Sequence, residues 1–285
     1  MAMKGNKKIK WTGERQMNSH QWLVPAQKGS MVLIHGTGEH YGRYEHVAAF
    51  FNERGWSVFT GDLPGWGRSA GRRGHIESFQ QYIEAVEDWM TKARSATPAG
   101  QPLYLLGHSL GGLVATRYVQ MKGDADGLTG LILTSPCLEL KLQVPAWKAQ
   151  LARMLDQFMP TLAMPNGVKA DMVSRDLSVQ AAYVTDPLNY PKVSVRWFQE
   201  LLRAMESAWA DRDHINVPVL VLQAGDDAII NADAIERFTG GLRAPNSFHR
   251  FSGLRHEVLN EPEKEQIMEQ MEAWMEQMAK LNVTY

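Results

Sequence analysis

One serine of this chain stands where a nucleophile would. Ser109 lies in "GHSLG" (Gly107 to Gly111). This matches G-x-S-x-G, the pattern of a sharp strand-to-helix turn that lifts a serine hydroxyl clear of its neighbours. A side chain at either flanking glycine would collide with adjoining elements. The helix that follows brings backbone N–H groups and a dipole that favours negative charge. Three fixed positions arise by chance roughly 0.1 times in a chain of this length, and a second match, "GRSAG" (Gly67 to Gly71), is present. Context separates the two. Ser109 ends an apolar run and opens an apolar helix, whereas Ser69 has neither beside it and reads as a turn serine.

A serine hydroxyl needs a base, and the base needs an orienting carboxylate. For this kind of turn the chain order is serine, then Asp or Glu, then histidine. The histidines after Ser109 are His214, His249 and His256. His214 precedes the apolar run "VPVLVL", at the wrong end of a strand. His249 lies inside the short run "SFHRF", where a structural role fits better. His256, in the loop "FSGLRHEVLNEP", is the base this reading selects. The acid should follow "VPVLVLQAG", where Asp226 and Asp227 stand together. Adjacent residues cannot both point at one imidazole, and position alone leaves the choice open. The developing oxyanion needs two N–H donors. One is that of Leu110, just after the serine. The other belongs to the loop "IHGTGEH", where Thr37 sits between Gly36 and Gly38. That loop spaces its glycines G-x-G-x-x-x-G, which misses the dinucleotide-binding fingerprint.

The elements that must carry these residues alternate between apolar runs and amphipathic helices. "SMVLIHG", "WSVFTGDLPG", "LYLLG", "GLILTSP", "VPVLVLQAG" and "SFHRF" read as strands. Between them lie helices over 43–55, from the Ser78/Gln81 capping box to about Met90, over 110–121, over 231–241 and over 263–278. Strands apolar on both faces, with helices between them, predict a mostly parallel sheet covered on both sides, with its ligand site beyond the carboxyl ends of the strands. From about Leu138 to about Ala208 the alternation stops. No clear strand is visible there, and the composition turns to Met, Trp, Leu and Pro. The expectation is a helical insertion above the sheet whose last helix leads back into the core. The domain reading is a core of residues 1–137 and 209–285 with a helical cap over 138–208.

Bulk properties bound the remaining possibilities. The 285 residues are 44% hydrophobic and 21% charged, enough for a sizeable core. With 30 basic and 31 acidic side chains there is no basic excess to suggest nucleic acid. The lone cysteine, Cys137, excludes an internal disulfide. No window approaches a membrane span, and the first residues lack the apolar stretch of a signal peptide. The expectation is a cytoplasmic protein. No His/Cys cluster has metal spacing, so neither metal nor cofactor is expected.

Taken together, "HGTGEHYGRY", "GDLPGWGRSAGRRGHI", "GHSLGG", "DPLNY", "QAGDD" and "GLRHEVLNE" resemble the monoacylglycerol lipase and lysophospholipase branch of the α/β-hydrolases, often grouped with serine aminopeptidases. The resemblance runs from about Met31 onward, and "HGTGEHYGRY" is its most specific mark. It implies an α/β-hydrolase fold with the nucleophile at Ser109, the base at His256, and oxyanion donors on the main chain of Thr37 and Leu110. It places the acid at Asp227, which Ala228 separates from the pair Ile229–Ile230. It makes 138–208 a cap over an acyl-chain channel. The implied reaction is two-step hydrolysis of the carboxylic ester of a single-chain acyl lipid, monoacylglycerol or lysophospholipid, with transient contact between the cap and a membrane or micelle.

The crowded apolar residues Trp147, Leu151, Met154, Leu155 and Phe158, with Met159, Leu162 and Met164 after them, are the expected substrate-binding wall. Glu39, His40, Arg43 and Tyr44 read as braces of the glycine loop. Asp62, at the end of a strand, is not a nucleophile, because serine occupies the elbow. A serine aminopeptidase would need acids in the cap to hold an amine, and an acyltransferase would use the same residues with an alcohol in place of water. A non-catalytic lipid-binding protein would not need an intact serine, aspartate and histidine.

Overall fold

The computed structural model describes residues 18–122, 127–141 and 153–282. Seven strands form one sheet: β1 (Ser19–Trp22), β2 (Gly29–Ile34), β3 (Trp56–Gly61), β4 (Leu103–His108), β5 (Gly130–Thr134), β8 (Val219–Ala224) and β9 (Asn246–Phe251). Their spatial order is β1-β3-β2-β4-β5-β8-β9. All neighbours are parallel except β1, which pairs antiparallel with β3.

Strand period sorts the apolar residues onto two faces. Val32, Ile34, Leu105, Leu133 and Val221 lie in one cluster with helices α2 (Gln80–Ala96), α3 (Leu110–Lys122), α7 (Val195–Ala210) and α8 (Ala232–Gly240). Met31, Leu33, Leu106, Ile132 and Leu222 lie in the other with α1 (Glu45–Glu53) and α9 (Lys264–Asn282). A sheet buried on both faces explains why its central strands read as unbroken apolar runs rather than alternating ones. The start of α2 carries only half of the expected capping box, because the Gln81 N–H donates to the Ser78 carbonyl and not to its hydroxyl, and α2 is capped by Phe79. The Gln81 side chain accepts from the Ser78 N–H at 3.3 Å, and Ser78 Oγ accepts from the Gln80 N–H at 3.3 Å.

Between β5 and β8 lie helical residues 153–158 (α4), β6 (Ala163–Pro165), α5 (Ala170–Val173), α6 (Leu177–Thr185) and β7 (Lys192–Ser194). The expectation that this stretch holds no strand is corrected here. β6 and β7 pair antiparallel, with Met164 opposite Val193. Three-residue strands far apart in sequence, one of them ending in Pro165, carry no alternation to read. The short strand β1 was likewise invisible, because its residues are only partly buried. The helix α7 runs from this insertion back against α3, through Trp197 and Leu201 in the main core.

Candidate active site

Ser109 sits between β4 and α3 with φ of 52°, a left-handed conformation that is strained for a residue with a side chain. Its neighbours hold it there. The Ser109 N–H donates to the Thr134 carbonyl at 3.0 Å, and its own carbonyl accepts from the N–H groups of Leu113 and Cys137. The flanking glycines are steric requirements. A Cβ on Gly107 would stand 2.3 Å from the Gly111 carbonyl oxygen, and one on Gly111 would stand 2.2 Å from that of Ile34.

The loop after β9 brings His256 to this serine. His256 Nε2 lies 2.8 Å from Ser109 Oγ, and Nδ1 lies 2.8 Å from Asp227 Oδ2. A carboxylate at Nδ1 fixes the proton there, so Nε2 presents its lone pair to the hydroxyl. Asp227 is fixed in turn. Its Oδ1 accepts from the N–H groups of Ile229 and Ile230 at 2.8 and 2.9 Å, and Oδ2 accepts from Gln223 Nε2 at 3.2 Å. Of the two adjacent acids, Asp227 is buried against His256. Asp226 is exposed and uses its N–H on the Leu254 carbonyl. His214 and His249 lie elsewhere, on a short helix before β8 and within β9.

Burial disfavours the charged form of His256, but the charge and hydrogen bond of Asp227, with Glu257 and Glu39 behind it, outweigh that, and the pKa stands above its ordinary value. Burial pushes the Asp227 carboxyl up. The His256 charge and hydrogen bond and the Ile230 and Ile229 N–H groups win, leaving it below its usual range. His108, beside Ser109, behaves oppositely. Burial, aided by the His256 charge, takes it down to about 3, so it is neutral at physiological pH.

On the other side of the serine, the loop after β2 carries Gly36, Thr37 and Gly38, and Leu110 begins α3 fully buried. Gly36 and Thr37 share a cavity with Ser109. The Gly36 N–H donates to Glu39 Oε1 at 2.5 Å, and the Tyr44 hydroxyl donates to the same oxygen at 2.7 Å. Arg43 donates to Glu39 Oε2 and forks onto both oxygens of Glu257 at 2.7 Å. The brace read in Glu39, Arg43 and Tyr44 therefore joins the glycine loop to the histidine loop. Glu257 was missed by the sequence reading. Its only signal was adjacency to His256, since its partner Arg43 is distant in sequence. His40 instead reaches the insertion, with Nε2 2.8 Å from Asp186 Oδ2. Asp62 is a loop organiser that accepts from the N–H groups of Tyr41 and Arg68 at 3.0 and 2.8 Å. Ser69 donates to the Asp62 carbonyl.

The cavity above Ser109 measures about 400 Å³. Its apolar wall includes Leu155, Met164, Val193, Trp197, Phe198 and Leu201; its polar members include Glu39, His108, Asn166 and Glu257. Of the five expected wall residues, Leu155 lines it. Met154 and Phe158 do not: they are 63% and 80% exposed. Positions i and i+4 share one helix face, and α4 turns that face to solvent while Leu155 turns inward. Trp147 and Leu151 lie outside the described residues. Among the described residues, no group of three or more His, Cys, Asp or Glu is arranged to hold a metal. None of their helices is long and apolar enough to cross a membrane.

A mostly parallel sheet covered by helices, with a serine at the β4–α3 turn, an aspartate after β8 and a histidine after β9, defines an α/β-hydrolase. Within that fold the chain belongs to the family described as serine aminopeptidase, S33, whose model matches residues 25–263. It is similar to the phospholipase YtpA of Bacillus subtilis, at 38% identity over 90% of this chain and 98% of that protein. It is similar to the monoacylglycerol lipase of Mycolicibacterium smegmatis, at 31% identity over 87% and 88% of the two chains. Among solved structures, the monoacylglycerol lipase of Paleococcus ferrophilus superposes with a TM-score of 0.83, at 28% identity over 92% of this chain and 99% of that one.

Proposed function

We propose that this protein is a serine hydrolase that cleaves the carboxylic ester of single-chain acyl lipids through an acyl-enzyme intermediate. The observation that carries the reading is the hydrogen-bonded series Ser109–His256–Asp227 at the base of an apolar cavity. Ser109 Oγ attacks the ester carbonyl as His256 Nε2 takes its proton, and Asp227 steadies the imidazolium. The N–H groups of Thr37 and Leu110 receive the oxyanion. The carbonyl–oxygen bond then breaks, and the alcohol leaves with the proton from His256. Water, deprotonated by the same nitrogen, attacks the acyl-enzyme and releases the fatty acid and Ser109. The names of the related phospholipase and monoacylglycerol lipases agree with this chemistry.

Residues 138–208 act as a cap over a core of 1–137 and 209–285, and Leu155 and Met164 give the acyl chain its wall. Ester rather than peptide chemistry is favoured because no cap acid among the described residues lines the cavity. The cavity carboxylates Glu39 and Glu257 share one guanidinium, that of Arg43. The surplus negative charge favours an uncharged alcohol group over a phosphate, hence monoacylglycerol over lysophospholipid. Met154, Phe158, Met159 and Leu162, all exposed on the insertion, would touch a lipid surface transiently. We place the enzyme in the cytoplasm, in keeping with its single buried thiol.

The test is fatty-acid release from 1-monoacylglycerol and lysophosphatidylcholine with one acyl chain, using Ser109→Ala as the blank. The expected result is faster turnover of the monoacylglycerol, with about 10⁶-fold loss in the variant. Wild-type turnover by Ser109→Ala would sink the mechanism. Faster turnover of lysophosphatidylcholine would reverse the head-group assignment alone.

A further inference from the structure

Arg255, His256 and Glu257 belong to no helix or strand, so each of their backbone N–H groups must find its own partner. All three find one outside their own stretch. The Arg255 N–H donates to Glu261 Oε1 at 2.7 Å, the His256 N–H to the Met172 carbonyl at 3.3 Å and the Glu257 N–H to the Val173 carbonyl at 2.9 Å. Met172 and Val173 close α5, and the last carbonyls of a helix have no partner within it. The base is therefore hung from the insertion at its own residue and at the next, and from a carboxylate at the residue before.

Glu261 has no part in the proton transfers above, yet it is fully buried. A buried carboxylate is costly unless donors surround it. Glu261 meets this requirement from two directions. Besides the Arg255 N–H, it accepts from Arg175, through the backbone N–H at 3.3 Å and through Nε at 3.0 Å. Arg175 stands in the insertion, two residues beyond α5, and its guanidinium also donates to Glu263. Between these contacts Ser174 Oγ donates to the Asn260 carbonyl at 2.9 Å, and the Ser174 carbonyl accepts from the Arg255 guanidinium at 3.2 Å. Residues 172–175 and 255–261 are thus laced together, and at the Glu261 carboxylate both stretches bond one group.

We infer that Glu261 is a positioning residue for the base: its carboxylate joins Arg255 to Arg175 of the insertion and so sets the place of His256 over Ser109. The inference rests on the Ser109–His256 reading above. It gives the insertion a second duty, as a support of the base as well as a wall of the cavity. Glu261 does not line the cavity and acts through Arg255. The 2.8 Å approach of His256 Nε2 to Ser109 Oγ leaves little tolerance, since a misplacement of about 1 Å costs about 10²-fold in rate.

The experiment measures kcat and KM for p-nitrophenyl octanoate, per Ser109 titrated with a fluorophosphonate, in the wild type, Glu261→Ala and Glu261→Gln. Alanine removes the acceptor of the Arg255 N–H, whereas glutamine keeps an acceptor oxygen and gives up the charge. In the alanine variant kcat should fall about 10²-fold, with KM within about twofold of the wild type. Glutamine should restore kcat to within about tenfold of the wild type, the worth of the charge in its hydrogen bonds. If the alanine chain does not fold, Glu261→Met takes its place, filling the space with no oxygen to accept. Wild-type kcat in the variant lacking the acceptor, whatever its thermal stability, overturns the inference, as does a glutamine variant no faster than that one. The second-order rate of fluorophosphonate labelling reads the same attack by Ser109 without any ester, and it should fall in step with kcat. A wild type that turns over no ester would sink the ester-hydrolase reading, while the labelling rates would still judge Glu261.

Discussion

The sheet and the insertion above it are built on different physics. Residues of β2, β3, β4, β5 and β8 are buried along their whole length. In α6 no residue is buried, although its composition is apolar. The sheet is held by close packing. The insertion packs into the core through Val193, Trp197 and Leu201, and its outer part is joined by polar stitches: His40 to Asp186, Arg73 to the carbonyls of Pro187 and Leu188, and Tyr190 to Gly38. Packing fixes atoms to fractions of an ångström, which a nucleophile and its base require. Polar stitches hold a surface segment in place without burying its side chains.

The sharpest break of this contrast lies in the rigid half. Asp227→Asn keeps the shape of the acid but lets the amide favour the wrong imidazole tautomer, and kcat should fall about 10⁴-fold. The pH profile gives the accompanying sign. A raised His256 pKa means that the base is protonated and idle on the acid side, so kcat/KM of the wild type should rise with pH through a midpoint above 6.5. Removing the carboxylate takes away the main groups that raise it, so the residual activity of the variant should show its midpoint at lower pH. A midpoint that stays in place would mean that Asp227 does not set the charge of His256.

The next effect is on stability and compares one glycine from each half. A Cβ on Gly111 meets backbone oxygens of Ile34 and His35 at 2.2 and 2.6 Å, and backbone cannot swing aside. Gly111→Ala should lower stability by about 3 kcal/mol, in the range of severe core overpacking. Gly167, in the insertion, has open space around its Cβ position and only a positive φ of 80° to lose. Gly167→Ala should therefore cost about 1 kcal/mol. Thermal unfolding of the two variants measures both, and equal losses would erase the distinction between packed sheet and stitched insertion.

The same contrast explains what could be read from the sequence. Six of the seven strands of the sheet, the helix faces and Ser109 were legible because packing leaves period and glycine spacing in the chain. His256 followed from its place after the last strand. The choice between Asp226 and Asp227 needed the resemblance to a family, since two adjacent acids differ only in which way the chain turns them. The pairing of β6 with β7 and the role of Glu257 were not legible. Each is defined by a partner remote in sequence. The wall of the cavity was half legible: apolar composition marked α4, but helix rotation decided that Leu155 faces in while Met154 and Phe158 face out.

That rotation supplies the smallest predicted effect and the finest test of the comparison. Phe158 is 80% exposed and Met154 63%, so replacing both by serine removes little packing. Stability should change by less than about 0.5 kcal/mol. Hydrolysis of a short-chain ester in free solution should hold, because neither side chain lines the cavity. Hydrolysis of monoacylglycerol presented in vesicles should fall severalfold if this exposed face meets the lipid surface, since the partitioned apolar area is lost. Equal loss on the soluble ester would place these side chains in the substrate path after all, and no loss on either would leave the outward face of α4 without a part in catalysis.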